Sequence, residues 1–513
     1  MGPAALAVLI SQLTGVADEM GAILRRSSLS PNIKERADCS AALFSPAGEL
    51  LVQAEHIPVH LGSMPASVAA AIASGVELGP GDQVVLNDPF AGGTHLNDIT
   101  LVAPCHAGGR LVGWVANRAH HADVGGMAPG SIPPDATEIY QEGFRIPPVR
   151  LTPEVVALLV ANSRAPAERR GDLDAQAGAN VVGSKRMAEL AGKPFDEVIA
   201  YGERRMRAAL AGLPDGRWEV SDVLDSTGPS PRQQHPATIR LALTVAGETA
   251  TFDFSGTDEQ REGNVNAVQA VTASAVAWAL RSVTDPTIPA NGGAMRPVRV
   301  VAPAGSIVGA TPPAAVGAGN VEVSQRVADA CLLALAGAAP GRVGAAGQGT
   351  MNNLILGGVS GWVYYETIGG GQGGRPGRAG MSGVHTAMTN TSDTPTEALE
   401  RAYPMRVLRY RLREGSGGRG AAPGGEGIER VIQVLERATL SLITERRVSQ
   451  PWGLAGGGRA AVGENWLWPG GVESRRRPLL DKVTVELEAG DAVQVLTPGG
   501  GGWGFSLVGD LPN

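Results

Sequence analysis

The sequence predicts an α+β fold, on three observations. Helical and strand patterns both occur but do not alternate strictly, as a doubly wound sheet would require. Short β-branched runs separated by Gly/Asn/Asp loops fill the first quarter of the chain. From about residue 405 onward the chain turns to strands and glycine loops, ending in TPGGGGWG (497–504).

Taken in order, the first element is an amphipathic helix. Leu6, Ile10, Leu13, Val16, Met20, Ile23 and Leu24 recur at helical spacing. Ser11, Gln12 and Thr14 interrupt the apolar run and no Lys or Arg precedes it, which argues against a signal peptide. Residues 41–54 read as strand, turn and strand, reversing at Pro46 and Gly48. A helix is predicted over 63–75, with Ser63 as cap. QVVL (83–86), ITLVAP (99–104) and LVGWVAN (111–117) are predicted strands of one sheet. Helices are expected at 134–141, 152–161 and 184–212, a hairpin at 239–245 and 248–254, and helices at 267–282 and 322–337. The turn-rich passage 213–236 suggests a boundary, giving an expected metal-binding domain at 1–225, a middle domain at 226–404 and a Gly-rich β domain at 405–513.

At 513 residues there is ample chain for a large core in several domains. The 71 Gly and 36 Pro, without a repeat, point to tight turns and close backbone approaches. Net charge is −7 with no basic stripe, so nucleic acid is not an expected partner. No run of 18 apolar residues occurs, and no membrane partner is expected. Cys39, Cys105 and Cys331 are scattered and odd in number, which suits a reducing compartment; the expected location is cytoplasmic.

The densest chemistry lies in NDPFAGGTHLNDIT (87–100) and NRAHHADVGG (117–126), each at a predicted strand end. His95 and Asp98 are close enough to converge on one ion. His120 and His121 are neighbours in an extended segment, so only one of them faces that ion. Six of the eight histidines fall between 56 and 121, and that clustering weighs against a scatter of surface histidines. Two imidazoles with one or two carboxylates suit Zn, Mn or Fe(II) and leave positions open for water and substrate. A bound dication lowers the pKa of water from 15.7 to about 7 and polarises an oxygen.

Asp123, Asp88 and Glu138 are candidates to orient the histidines from behind, and equally read as turn and cap residues in HAD, NDP and PDATE. His56 and His60 flank Pro58; they line the site or simply end the strand. His121 and His56 are the candidates for a catalytic role beside the ligands. The segments 369–377 and 416–427 read as turn-forming glycine, with an anion cradle as the alternative. Met187 stands where a phosphate-binding loop ahead of Gly192-Lys193 needs Gly, and no dinucleotide-binding site is expected.

These segments resemble the hydantoinase B/5-oxoprolinase family. The likeness runs through 48–68, 87–104, 117–149, DLDAQAGAN (172–180), DFSGT (253–257), PAAVGAGNVEVSQRVAD (313–329), 389–404, SGGRG (416–420) and 497–504, nearly end to end. It implies a metal-carrying subunit of a hetero-oligomer, with ATP and Mg bound by a hydantoinase A-type partner. The pair opens a cyclic amide (hydantoin, 5-oxoproline, other lactams), while related members carboxylate ketones. It also implies one divalent metal ion held by Asp38, His95, Asp98 and His120, and adds Asp38 to the catalytic candidates. Asn97 and Ala119 depart from the common Pro and Gly of relatives, and 416–427 is poorer in arginine. Three readings follow: amidohydrolase subunit, ketone carboxylase subunit, or a scaffold for the partner.

Overall fold

A computed structural model describes residues 1–55 and 57–505. The α+β expectation holds: among the described residues there are four sheets, and all their strand pairings but one are antiparallel. The first sheet consists of β1 (Cys39–Phe44), β2 (Leu50–Glu55), β3 (Val84–Leu86), β4 (Asp98–Ala107), β5 (Arg110–His120) and β6 (Val149–Arg150), in the order β2-β1-β5-β4-β3-β6. Alternation sorts its side chains by face. Ala41, Leu43, Ala103 and Val115 pack under the N-terminal helix α1 (Pro3–Ser27), whereas Ala42, Phe44, Val102 and Ala116 pack under the helix Ser63–Ala73.

α1 is, among the described residues, the one helix long and apolar enough to cross a bilayer, yet Leu9, Leu13, Met20 and Leu24 are buried against the body. The expected helix at 134–141 shrinks to Ile139–Glu142, because Ser131, Pro133 and Pro134 hold the chain in turns. The predicted stretch 184–212 is two helices, Pro166–Ala188 and Phe195–Ala211, divided at Gly192-Lys193-Pro194. Polar Gln176 and Asn180 inside the first of these, which accept hydrogen bonds from Asn117 of β5, hid its register on the sheet, since its buried face is amide rather than hydrocarbon.

Both expected boundaries fall inside sheets. The strand Gly216–Leu224 pairs with Ala237–Ala246 across 225/226, and Asn353–Gly358 pairs with Ala438–Ile443 across 404/405. The third sheet (Asn353–Gly358, Val363–Thr367, Ala438–Ile443, Lys482–Leu487) and the fourth (Met405–Arg413, Gly427–Val434, Glu464–Trp468, Arg477–Pro478, Ala492–Leu496) interleave along the chain, and a buried ionic cluster ties this unit to the middle of the chain. Lys482 contacts Glu445 at 2.6 Å and Asp481 at 3.1 Å, while Arg446 bridges Asp222 and Asp329 at 2.6 and 2.8 Å.

The glycine loops pack on one another. Gly371, Gly374, Gly418, Gly425, Gly500 and Gly502 each donate a backbone N–H to a carbonyl of a neighbouring glycine segment or of its flanking residues, at 2.8–3.1 Å. Their N–H groups are therefore spent on backbone, and the anion-cradle alternative falls away at these positions. In 416–427 the anion is the chain's own: Glu426 accepts from Ser416 N at 2.6 Å and Gly417 N at 3.0 Å. A Cβ on Gly424 would run into the Gly500 carbonyl, so only glycine permits this spacing. Gly424→Ala is expected to lower the melting temperature by the several degrees that overpacking of about 1–3 kcal/mol or more implies. Gly341→Ala, where nothing lies within 4 Å, should leave it within about a degree in the same thermal scan.

Candidate metal centre

Strand register builds the centre. β4 and β5 pair with Asp98 directly opposite His120. β1 and β5 pair with Cys39 opposite Ala119, and His120 N donates to the Asp38 carbonyl at 3.0 Å, so Asp38 lies opposite His120 on the other side. Directly opposed residues share a face, so Asp38, His120 and Asp98 stand abreast across three neighbouring strands. His95, one turn ahead of β4, reaches the same point.

His95 Nε2, Asp98 Oδ1 and His120 Nδ1 lie 3.1 Å, 3.1 Å and 3.3 Å apart for the His95–Asp98, His95–His120 and His120–Asp98 edges. Each ring nitrogen carries at most one proton, so three such edges cannot all be good hydrogen bonds. Bonds of about 2.0–2.1 Å to a four-coordinate ion set neighbouring ligand atoms roughly 3.3 Å apart, which is this triangle. The residues present fit a divalent ion. His95, Asp98 and His120 are at most 3% exposed. As the side chains stand, these three form the close cluster and the Asp38 carboxylate lies outside it.

The electrostatics favour positive charge here. Burial pushes the Asp98 carboxyl up, but His95 and hydrogen bonds from His120, His60 and His95 hold it well below the carboxylate range. Burial opposes charge on His95, yet Asp98, the Gly317 carbonyl and Asp38 raise it above its ordinary value. Burial wins at His120, which is lowered despite Asp98 and Asp38.

The outer contacts come from groups the sequence did not single out as supports. Asp98 Oδ2 accepts from Thr94 Oγ1 at 2.5 Å and lies 3.5 Å from His60 Nε2 and 3.4 Å from Asn320 Nδ2. Ser40 Oγ holds His60 Nδ1 at 2.9 Å, so His60 lines the site rather than ending a strand. His95 Nδ1 lies 3.3 Å from the Gly317 carbonyl, an acceptor that fixes the tautomer leaving Nε2 free for an ion. Buried Glu142, pushed up to about 7 by burial, accepts from Val316 N and Gly317 N and so steadies that carbonyl. Tyr365 stacks on His120, centroids 4.5 Å apart.

Other expectations need correction. His121 points to the opposite face, where its Nε2 meets Gln176 Oε1 at 2.8 Å, and burial with nearby Arg169 lowers it to about 3. It does not face the centre, and its catalytic assignment is withdrawn. Asp123 accepts from Gly125 N, Gly130 N and Arg164, organising a loop rather than a histidine. Asp88 caps Phe90 N at 3.0 Å and pairs with Arg145. Glu138 is exposed and forms a capping box with Gln141. All three serve the local backbone, which competes first for short acidic side chains in turns. His56 lies outside the described residues.

The sequence profile of hydantoinase B/oxoprolinase matches residues 2–506. An uncharacterised protein of Methanocaldococcus jannaschii is 41% identical over 515 residues, 98% of this chain and 91% of that one. The 5-oxoprolinase 1 of Arabidopsis thaliana is 40% identical over 98% of this chain and 42% of its own length. This chain thus spans about two fifths of the oxoprolinases it matches. The ATP-dependent caprolactamase of Pseudomonas jessenii superposes with a TM-score of 0.91 at 30% identity, over 98% of this chain and 91% of that one. Nucleotide-free acetone carboxylase superposes with a TM-score of 0.87 over 98% of this chain and 76% of that one, and at 20% identity shares the fold alone.

The purified chain is expected to take up one divalent ion, measured by metal analysis and by competition with a chelator. Thr94→Val or His60→Ala should weaken that affinity by about 10–100-fold, the usual effect of removing a ligand's outer partner. His121→Gln, on the opposite face of the sheet, should change affinity by much less than either.

Proposed function

This chain belongs to the hydantoinase B/oxoprolinase family, and from that we propose that it is the metal-carrying component of an ATP-dependent cyclic amidohydrolase. It works, in this reading, with an ATP-binding component of the hydantoinase A type. The observation that carries the proposal is the buried triangle of His95, Asp98 and His120 in a family whose similar members are named for opening lactams.

An unstrained amide resists hydrolysis because its nitrogen is a poor leaving group and its carbonyl a poor electrophile. ATP-driven activation on the partner addresses the first difficulty. A divalent ion bound here supplies the second requirement, acidifying water from 15.7 to about 7 and polarising an oxygen. The chain's own residues prepare for both. The Gly317 carbonyl accepts a hydrogen bond from His95 Nδ1–H, the tautomer that presents Nε2 unprotonated. Thr94, His60 and Asn320 occupy Asp98 Oδ2, leaving Oδ1 to the centre. Asp38, abreast of His120, is proposed as the fourth ligand.

The site lies out of bulk water, with Asp38 7% and His60 1% exposed. Charges and dipoles there act more strongly than they would at a surface. Substrates of the hydantoin, 5-oxoproline or simple lactam class are supported by 40% identity to a 5-oxoprolinase and 30% to a caprolactamase. The carboxylase likeness carries fold only.

The chain combined with its ATP-binding component should convert a lactam and ATP into the ring-opened amino acid. Chelator should abolish turnover, and Asp98→Ala should lower kcat by more than the roughly 10–100-fold that loss of an outer partner causes. A carboxylated ketone as the ATP-dependent product, with lactams left intact, would replace this reading with the carboxylase.

A further inference from the structure

Residues Gly319–Val323 form a π-helical turn ahead of the helix Ser324–Ala338. Such turns are rare and frequent at functional sites. This one is anchored at its first residue: Gly319 N donates to the Asn264 carbonyl at 3.1 Å, and a Cβ on Gly319 would run into the Asn266 carbonyl. The anchored turn sets Asn320 against the candidate centre, 222 residues from Asp98 in sequence.

The Asn320 carboxamide is 4% exposed and its two ends differ. Nδ2 lies 3.4 Å from Asp98 Oδ2, and Oδ1 is buried with no hydrogen-bond partner among the described residues. Flipping the amide would set two oxygens against each other, so the orientation is determined by the carboxylate. A buried carbonyl oxygen is left as an acceptor beside the triangle, and an unpaired buried acceptor is costly. Groups that hold Asp98 and His95 are already engaged elsewhere. Thr94 donates to Asp98, His60 spans Asp98 and Ser40, and Gly317 N donates to Glu142.

We propose that Asn320 Oδ1 is the acceptor for a protic ligand of the ion held by His95, Asp98 and His120, making Asn320 a positioning residue that also selects what binds there. The inference rests on the metal reading above and deepens it. A ligand with an O–H to give, such as water, satisfies Oδ1. An aprotic anion such as azide leaves that oxygen unpaired and sets negative charge against it. A site built to bond a donor rejects the analogue that lacks one.

The test uses cobalt(II)-loaded chain and azide, titrated by visible absorption at fixed pH. Asn320→Leu removes the acceptor at similar volume, and Asn320→Ala is the second variant should leucine disturb the fold. Each variant is expected to keep one cobalt per chain and to bind azide about tenfold or more tighter than the parent, the scale of one unpaired buried acceptor. An azide affinity within twofold of the parent's, in a variant that retains cobalt, overturns the proposal. Loss of cobalt from both variants makes Asn320 a prop for Asp98 and overturns it equally. Failure of the parent chain to bind cobalt brings down the metal reading itself, an outcome distinct from either.

Discussion

Three polar atoms, His95 Nε2, Asp98 Oδ1 and His120 Nδ1, are held 3.1–3.3 Å apart in a place water barely reaches. Two imidazoles cannot supply protons for all three edges at once, whereas a bound cation would satisfy all three. Left to themselves, two such rings and a carboxylate would relax apart. What prevents this is the structure around them: the β4–β5 register sets the Asp98 and His120 backbones, Gly317 turns the His95 ring, and Tyr365 lies flat on His120.

Those restraints come from distant parts of the chain, which accounts for the size of the fold around so small a site. Gly317 and Asn320 belong to the segment leading into the helix Ser324–Ala338, and Tyr365 to the strand Val363–Thr367 of the third sheet. Buried Arg36 fastens that strand to the β1 side, donating through Nη1 to the Tyr365 carbonyl at 2.8 Å and through Nη2 to Thr391 Oγ1 at 3.1 Å. The third sheet is in turn joined to the middle of the chain by the Lys482, Glu445 and Arg326 cluster. Removing one partner from such buried charges typically costs about 3–5 kcal/mol. Positioning at the centre therefore depends on contacts well away from it.

How much of this was legible in the sequence depended on range. His95, Asp98 and one of His120/His121 were readable, because a short spacing and a strand end are local facts, and strand alternation allowed only one of the paired histidines to face the centre. Asp38 was visible only through resemblance, since nothing local distinguishes it and its place depends on pairing between β1 and β5. His60 was left ambiguous by Pro58, which breaks any helical or strand pattern that would have aimed it. Asn320 and Glu142 reach the site through tertiary packing alone. The three acids expected behind the histidines failed for a single reason: Asp88, Asp123 and Glu138 sit where the chain turns, and unpaired backbone N–H groups there claim a carboxylate before a distant imidazole can. The α+β class was legible because it needs only the order of periodicities, whereas domain limits need strand pairing.

The second histidine of the pair also has a physical role, on the reverse face of the sheet. His121 Nε2 meets Gln176 Oε1, whose Nε2 donates to the Ile99 carbonyl and to Asn117 Oδ1. Asn117 donates to Asn180, which donates to the Leu101 carbonyl. This amide ladder stitches the helix Pro166–Ala188 to the ends of β4 and β5 directly behind Asp98 and His120. Hydrocarbon packing would resist separation of helix and sheet, but it would tolerate sliding by a fraction of an ångström. Directional bonds in a low-dielectric interior resist both. A triangle whose edges must stay near 3.2 Å needs the second kind of resistance, and sites carried on stiff strands hold it better than sites on loops. The polar reverse face of this sheet is thus part of the centre, although none of its residues faces the triangle.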